Sequence, residues 1–166
     1  MLLIKRVCVC PISWSPRVVL KNPLTFAKNN GVSMKLGVLK EPEGETRVAI
    51  VPTSLKKLQK AGFEVVIEAG AGTAANYHDA EYEAAGATVG TRSDALACET
   101  IITIRFPGVE GMKEGTNLAC VSDPFRNPQF VKDCLASNIT LLSMDMIPRR
   151  LSRAQSMDVN SSQDNL

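Results

Sequence analysis

The chain has 166 residues, 45% of them hydrophobic, 22% charged and 5% aromatic, with a formal net charge of +2. That is enough for one domain with a proper core, and no apolar run approaches the roughly 20 residues a membrane helix needs. Residues 1–34 hold five of the 19 basic groups and none of the 17 acidic ones, so residues 35–166 carry 14 against 17, a net of −3. A mildly acidic domain without a basic stripe argues against nucleic acid as a partner.

Residues 1–33 form a basic, acid-free, Ser-containing leader. Its composition suits an organelle transit peptide, or equally a reading frame whose natural start is Met34. Strand and helix signals alternate from there. "MKLGVL" (34–39) reads as a strand, followed by the charged loop "KEPEGETR" and by "VAIVP". A helix opens at Pro52 or Thr53, with Leu55 and Leu58 on one face and Gly62 as its stop. "FEVVIEA" (63–69) reads as a strand, and "HDAEYEAAG" (78–86) as a short helix ended by Gly86. Further strands are "ETIITIRF" (99–106), "TNLACVS" (116–122) and "ITLLSMD" (139–145). A helix over 127–138 precedes the last strand, with Asn127 as its cap and Pro128 in its first turn. The strands are almost continuously apolar, which predicts a parallel α/β sheet buried on both faces.

Five segments carry candidate chemistry. "GAGTAA" (70–75) satisfies G-x-G-x-x-A, but "NYHD" separates it from the next helix, so a Gly-rich turn is the better reading than a phosphate cradle. Lys40 and Arg47 flank a loop at the carboxyl end of the first strand, where ligands bind in open parallel sheets. Two cations there could hold a carboxylate, yet Glu41, Glu43 and Glu45 offer local ion pairs, and spacing favours the pairs. His78 sits at a helix start with no nucleophile near it. Cys8, Cys10, Cys98, Cys120 and Cys134 have neither zinc nor disulfide spacing, so reduced, buried thiols in an intracellular protein are expected. The tail "PRRLSRAQSMD" is the densest cluster. Its arginines can clamp a pyrophosphate, and Gln155 can match a carboxamide. Ser152 and Gln155 also fit a capping box at the start of a helix.

"MKLGVLKEPEGETRVAIVP", "GFEVVIEAGAGTAANYHDAEYEAAGA" and "PRRLSRAQSMDVNSSQDNL", in that order, resemble the N-terminal part of the NAD-binding α subunit of proton-translocating NAD(P) transhydrogenases. The front half is shared with alanine dehydrogenases and saccharopine-forming enzymes. The resemblance implies residues 34–148 as an alanine dehydrogenase/transhydrogenase N-terminal domain. Residues 149–166 become a nucleotide-contacting loop and the start of a linking helix. The implied fold is a doubly wound, Rossmann-like parallel sheet, incomplete because the second, NAD-binding Rossmann domain is missing, as in a truncated gene product. By resemblance the cofactor contacts are Arg150, Gln155, Asp158 and Ser161, with no protein acid or base and no metal. NAD(H) would be the cofactor of this component and NADP(H) that of a partner.

Further implied partners are a membrane-embedded component and a second copy of the NAD-binding component. The site would lie peripherally on the cytoplasmic side of a bacterial inner membrane, or at the mitochondrial inner membrane if the leader is a transit peptide. Arg47 matches a substrate-contacting arginine of the alanine dehydrogenases. Thr103 stands where those enzymes place a substrate-binding lysine, and "LACVSDPFRNPQF" lacks their active-site histidine. An amino-acid dehydrogenase domain and a non-catalytic subunit-interaction domain are the alternative readings.

Overall fold

The structure, a computed structural model, describes residues 34–147. Six strands form one sheet: β1 (Met34–Val38), β2 (Phe63–Glu68), β3 (Thr88–Gly90), β4 (Thr100–Ile102), β5 (Asn117–Cys120) and β6 (Thr140–Ser143). All neighbours pair in parallel, in the order β3-β2-β1-β4-β5-β6. The doubly wound α/β expectation therefore holds. Four helices connect the strands: α1 (Pro52–Lys60), α2 (Asp79–Ala84), α3 (Arg92–Leu96) and α4 (Pro128–Ala136).

The strand order reverses direction after β3. Right-handed crossovers then require the helices of the two halves to lie on opposite faces. Two apolar clusters follow from this. Leu36, Val38, Val65 and Ile67 pack with Leu55 of α1 and Tyr82 of α2. Ile101, Leu118, Cys120 and Leu141 pack with Ala95 of α3 and with Phe130 and Cys134 of α4. On β4 the adjacent Ile101 and Ile102 serve opposite clusters, as a two-fold pleat demands. Leu142, next to buried Leu141, projects from the other face of β6 and is 45% exposed.

Tyr82 ties the first cluster to a loop. Its ring is fully buried and its hydroxyl donates to the Ile50 carbonyl at 3.0 Å. Burial pushes the phenol up to about 12, with smaller contributions from Tyr77, Glu81 and Asp79. Tyr82→Phe leaves that carbonyl without its donor, and should cost about 1–2 kcal/mol by urea denaturation.

Two elements escaped the sequence reading. β3 is three residues long and α3 five, too short for a periodic signal. The cue that could have found α3 is a capping box. The Thr91 hydroxyl oxygen accepts from the Asp94 N–H at 3.3 Å, and the Asp94 carboxylate accepts from the Thr91 N–H at 2.9 Å.

The strand expected over 99–106 is cut to Thr100–Ile102. Its neighbour β1 has already ended at Val38, and the Glu41 carboxylate takes the Ile104 and Arg105 N–H groups at 2.6 and 2.8 Å. A side chain thus replaces the ladder on the β1 side, while bonds toward the β5 side run on through Thr103 and Ile104. Asn127 occupies the N-cap position of α4 but makes no cap bond there. Its amide donates instead to the carbonyls of Ser122 and Asp123 at 3.0 and 3.3 Å.

Candidate functional site

The point where the strand order reverses lies between β1 and β4. Loops leaving neighbouring strands diverge there, and a crevice opens at the carboxyl edge of the sheet. Its volume is 710 Å³, and it is walled by residues 42–45 after β1, by Arg105 and Phe106 after β4, and by Val121–Asp123, Arg126 and Asn127 after β5. Phe106 is itself fixed by Phe130 of α4, with ring centroids 3.4 Å apart.

Charge in the crevice is locally compensated. Glu45 accepts two hydrogen bonds from the Arg47 guanidinium, at 2.7 and 2.8 Å, one from the Arg47 N–H at 3.3 Å and one from Arg105 at 3.0 Å. The Arg47 bonds, helped by Arg105, hold the Glu45 carboxyl down at about 2. Glu41 is raised above the usual carboxylate range, chiefly by desolvation, against the pull of its two backbone donors. Arg126 pairs with Asp123 at 3.4 Å. A wall in which each guanidinium meets a carboxylate does not recruit a pyrophosphate by net charge. It suits neutral polar groups, such as a carboxamide or ribose hydroxyls, which need donors and acceptors at fixed positions.

The Glu45 shift carries a pH prediction. Its folded value lies below the ordinary 4.5, so its contribution to stability is complete above about pH 4.5 and is lost as pH falls toward 2. Glu41, raised, works in the opposite direction as it protonates. Glu45→Gln should therefore flatten the acid decline of unfolding free energy between about pH 4.5 and 2. Because both arginines are about half exposed, the loss at pH 7 should be only about 1 kcal/mol.

A second polar cluster joins β5 to β6. The Asp145 carboxylate accepts from the N–H groups of Ser122 and Asp123 at 3.2 and 3.0 Å, and from the Ser143 hydroxyl at 2.6 Å. The hydroxyls of Ser122 and Ser143 lie 2.6 Å apart.

In "GAGTAA" the Gly70 N–H, which a phosphate would need, already donates to both oxygens of Asp79 at 3.0 and 3.1 Å. A Cβ at Gly72 would meet the Tyr82 ring at 2.6 Å, so that glycine serves packing. The segment is a Gly-rich turn with a three-residue 3-10 turn, Thr73–Ala75, and no phosphate loop. Lys40 gives its backbone N–H to Glu68, and Arg47 is committed to Glu45.

Thr103 is buried and its hydroxyl donates to the Arg105 carbonyl at 2.7 Å, a turn-holding role. His78 is the N-cap residue of α2, and its N–H donates to Glu81 at 3.0 Å. Cys98, Cys120 and Cys134 are free and buried, with burial pushing Cys120 up to about 12 and Cys134 to about 11. Among the described residues no group of three or more His, Cys, Asp or Glu could hold a metal, and no helix is long and apolar enough to cross a membrane.

Arg150, Gln155, Asp158 and Ser161 lie outside the described residues, as do Cys8, Cys10 and the leader. Sequence reading missed the crevice residues Arg105, Asp123 and Arg126 and the clamp Asp145. Arg105 and Asp145 act through contacts with residues far away in the chain, which local spacing does not report, and they bring the local Asp123–Arg126 pair into the same wall.

Residues 37–166 match the family model described as "Alanine dehydrogenase/PNT, N-terminal domain". The chain belongs to this family. As an alanine dehydrogenase/PNT N-terminal domain, it is 40% identical over 139 residues to the NAD(P) transhydrogenase subunit alpha of Cereibacter sphaeroides, covering 80% of this chain and 26% of that protein. It is 36% identical over 137 residues to the NAD(P) transhydrogenase subunit alpha of Haemophilus influenzae, covering 80% and 27%. The solved structure of transhydrogenase from Sinorhizobium meliloti superposes with a TM-score of 0.75 at 40% identity, over 79% of this chain and 40% of that one. An L-alanine dehydrogenase structure follows with a TM-score of 0.66 at 26% identity, over 73% and 34%. The domain thus spans roughly a quarter to two-fifths of the length of these relatives.

Proposed function

We propose that this domain serves as the N-terminal part of the NAD-binding α component of a proton-translocating NAD(P) transhydrogenase. The observation that carries this reading is the match to transhydrogenase α subunits along 80% of the chain. A curated alanine dehydrogenase from Geobacillus stearothermophilus is matched along only 45%. A bound nicotinamide dinucleotide would supply the hydride, which passes between NAD(H) here and NADP(H) on a partner component. The reaction needs two aligned rings and no protein acid or base, so the domain's residues act by positioning.

Within that role the switch-point crevice receives the polar nicotinamide end. Arg105 and Arg126, neutralised by Glu45 and Asp123, offer N–H donors without drawing in the pyrophosphate. Arg150, Gln155, Asp158 and Ser161 complete the contacts from the tail. The working assembly includes the NADP-binding and membrane-embedded components and a second copy of the NAD-binding component, with this domain on the membrane's periphery. The coupling of hydride transfer to proton translocation belongs to that assembly.

The amino-acid dehydrogenase alternative needs Arg47 for an oxo-acid carboxylate, but Glu45 fills that guanidinium and Thr103 supplies no cation. The deciding experiment joins this domain to the remaining length of a transhydrogenase α subunit, reconstitutes the assembly, and assays NADH-dependent reduction of NADP⁺. Hydride transfer is expected. Alanine oxidation without transhydrogenation would overturn the proposal. Elution as a monomer on size exclusion both with and without residues 150–166 would eliminate the interaction-domain reading.

A further inference from the structure

The Asp145 carboxylate, just past the end of β6, accepts three hydrogen bonds from described residues, and Asp145 does not itself line the crevice. Its two backbone partners, Ser122 and Asp123, do. Asp123 has φ +42, a left-handed conformation that is unfavourable for a residue with a Cβ. Such a conformation persists only where surrounding contacts hold it.

Asp145 supplies those contacts from the 3-10 turn Met144–Met146 that follows β6. Both consecutive N–H groups of the turn point at its two oxygens, and buried Ser122 is further locked by the Ser143 hydroxyl. The rest of the wall depends on the turn. The Asp123 carbonyl accepts from the N–H groups of Arg126 and Asn127, each at 3.0 Å, and the Asp123 carboxylate lies 3.4 Å from the exposed Arg126 guanidinium.

We infer that Asp145 is a positioning residue for NAD(H): by clamping the Ser122–Asp123 turn it fixes the β5 wall of the crevice, including Asp123, Arg126 and Asn127, against which the nicotinamide end is held. The inference rests on the transhydrogenase reading above. Asp145→Asn is isosteric but turns one acceptor oxygen into a donor, so one of the three bonds must be lost and a donor faces a donor. Asp145→Glu keeps both acceptors on a longer stem.

The test measures both nucleotides in the assembled transhydrogenase. Asp145→Asn should raise KM for NAD(H) about tenfold, the scale of one lost hydrogen bond to a charged group. KM for NADP(H) should stay within about twofold, and Asp145→Glu should recover most of the loss. A merely structural role would lower the thermal midpoint and yield while leaving KM for NAD(H) unchanged in the surviving protein. KM for NAD(H) within about twofold of wild type in folded Asp145→Asn overturns the inference. So does an equal rise for both nucleotides. If Asp145→Asn does not accumulate, Ser143→Ala removes one donor from the same carboxylate. A rise of about threefold in KM for NAD(H) supports the inference, and none overturns it. A wild-type assembly that transfers no hydride sinks the transhydrogenase reading and this inference with it, whereas unaltered Asp145→Asn kinetics in an active assembly sink the inference alone.

Discussion

Gly37→Ala should destabilise the domain by about 3 kcal/mol or more, read as a lowered urea midpoint with an unchanged slope. The added Cβ would overlap the Ala95 carbonyl oxygen, with the Ala95 carbonyl carbon at 3.0 Å and the Cys98 Cβ at 3.3 Å. Two of those atoms are backbone, which cannot rotate away as the tip of a long side chain would. Nor can β1 retreat, because Gly37 is registered with Val66 of β2 on one side and Ile101 of β4 on the other. Relief must come from α3, whose Ala95 is fully buried in the second cluster. Gly44→Ala is the control: nothing lies within 4 Å of its Cβ, and only its φ of +93 resists the change. That variant should lose about 1 kcal/mol. Equal losses at the two positions would show that α3 shifts at little cost.

The largest functional effect is expected in the tail. Alanine at both Gln155 and Asp158, in the assembled transhydrogenase, should lower NADH-to-NADP⁺ hydride transfer by about 100-fold, the penalty of misplacing a reacting ring by an ångström. KM for NADP(H) and the thermal midpoint should hold, since the change concerns orientation at the NAD(H) site. Arg150→Ala should act differently, weakening NAD(H) binding about tenfold through loss of a charge-assisted contact. Stopped-flow transfer between prebound nucleotides separates the two. If the double variant transfers hydride at the wild-type rate, the tail does not position the coenzyme.

The two predictions draw on different kinds of information. Gln155 and Asp158 were legible as a cluster, because a polar run of arginine, amide and carboxylate groups close together in the chain is a local pattern. The alternation of apolar runs with helical ones is local too. It announced a parallel α/β sheet from "MKLGVL", "FEVVIEA" and "ITLLSMD" before any contact was known, since strands buried on both faces cannot alternate polar with apolar. The failure of "GAGTAA" as a phosphate loop was visible in the residues that separate it from the next helix, and Asp79 on the Gly70 N–H is its physical reason.

What the chain's order of residues could not reveal depends on strands brought together from far apart. Nothing near Gly37 forbids a side chain until α3 crosses it. Nothing near Glu41 announces that its carboxylate will end β4 more than sixty positions away. Spacing favoured a local ion pair for Arg47, and Glu45 supplies it, but nothing near Glu45 announces that Arg105 will arrive from the loop after β4 to share the same carboxylate. The composition and periodicity of this sequence determine that it forms a parallel α/β sheet. Where the crevice opens, which charges in it are cancelled and which carboxylate braces its wall were decided only when β1, β4, β5 and β6 met, because hydrogen bonds and ion pairs depend on distance in space and not along the chain.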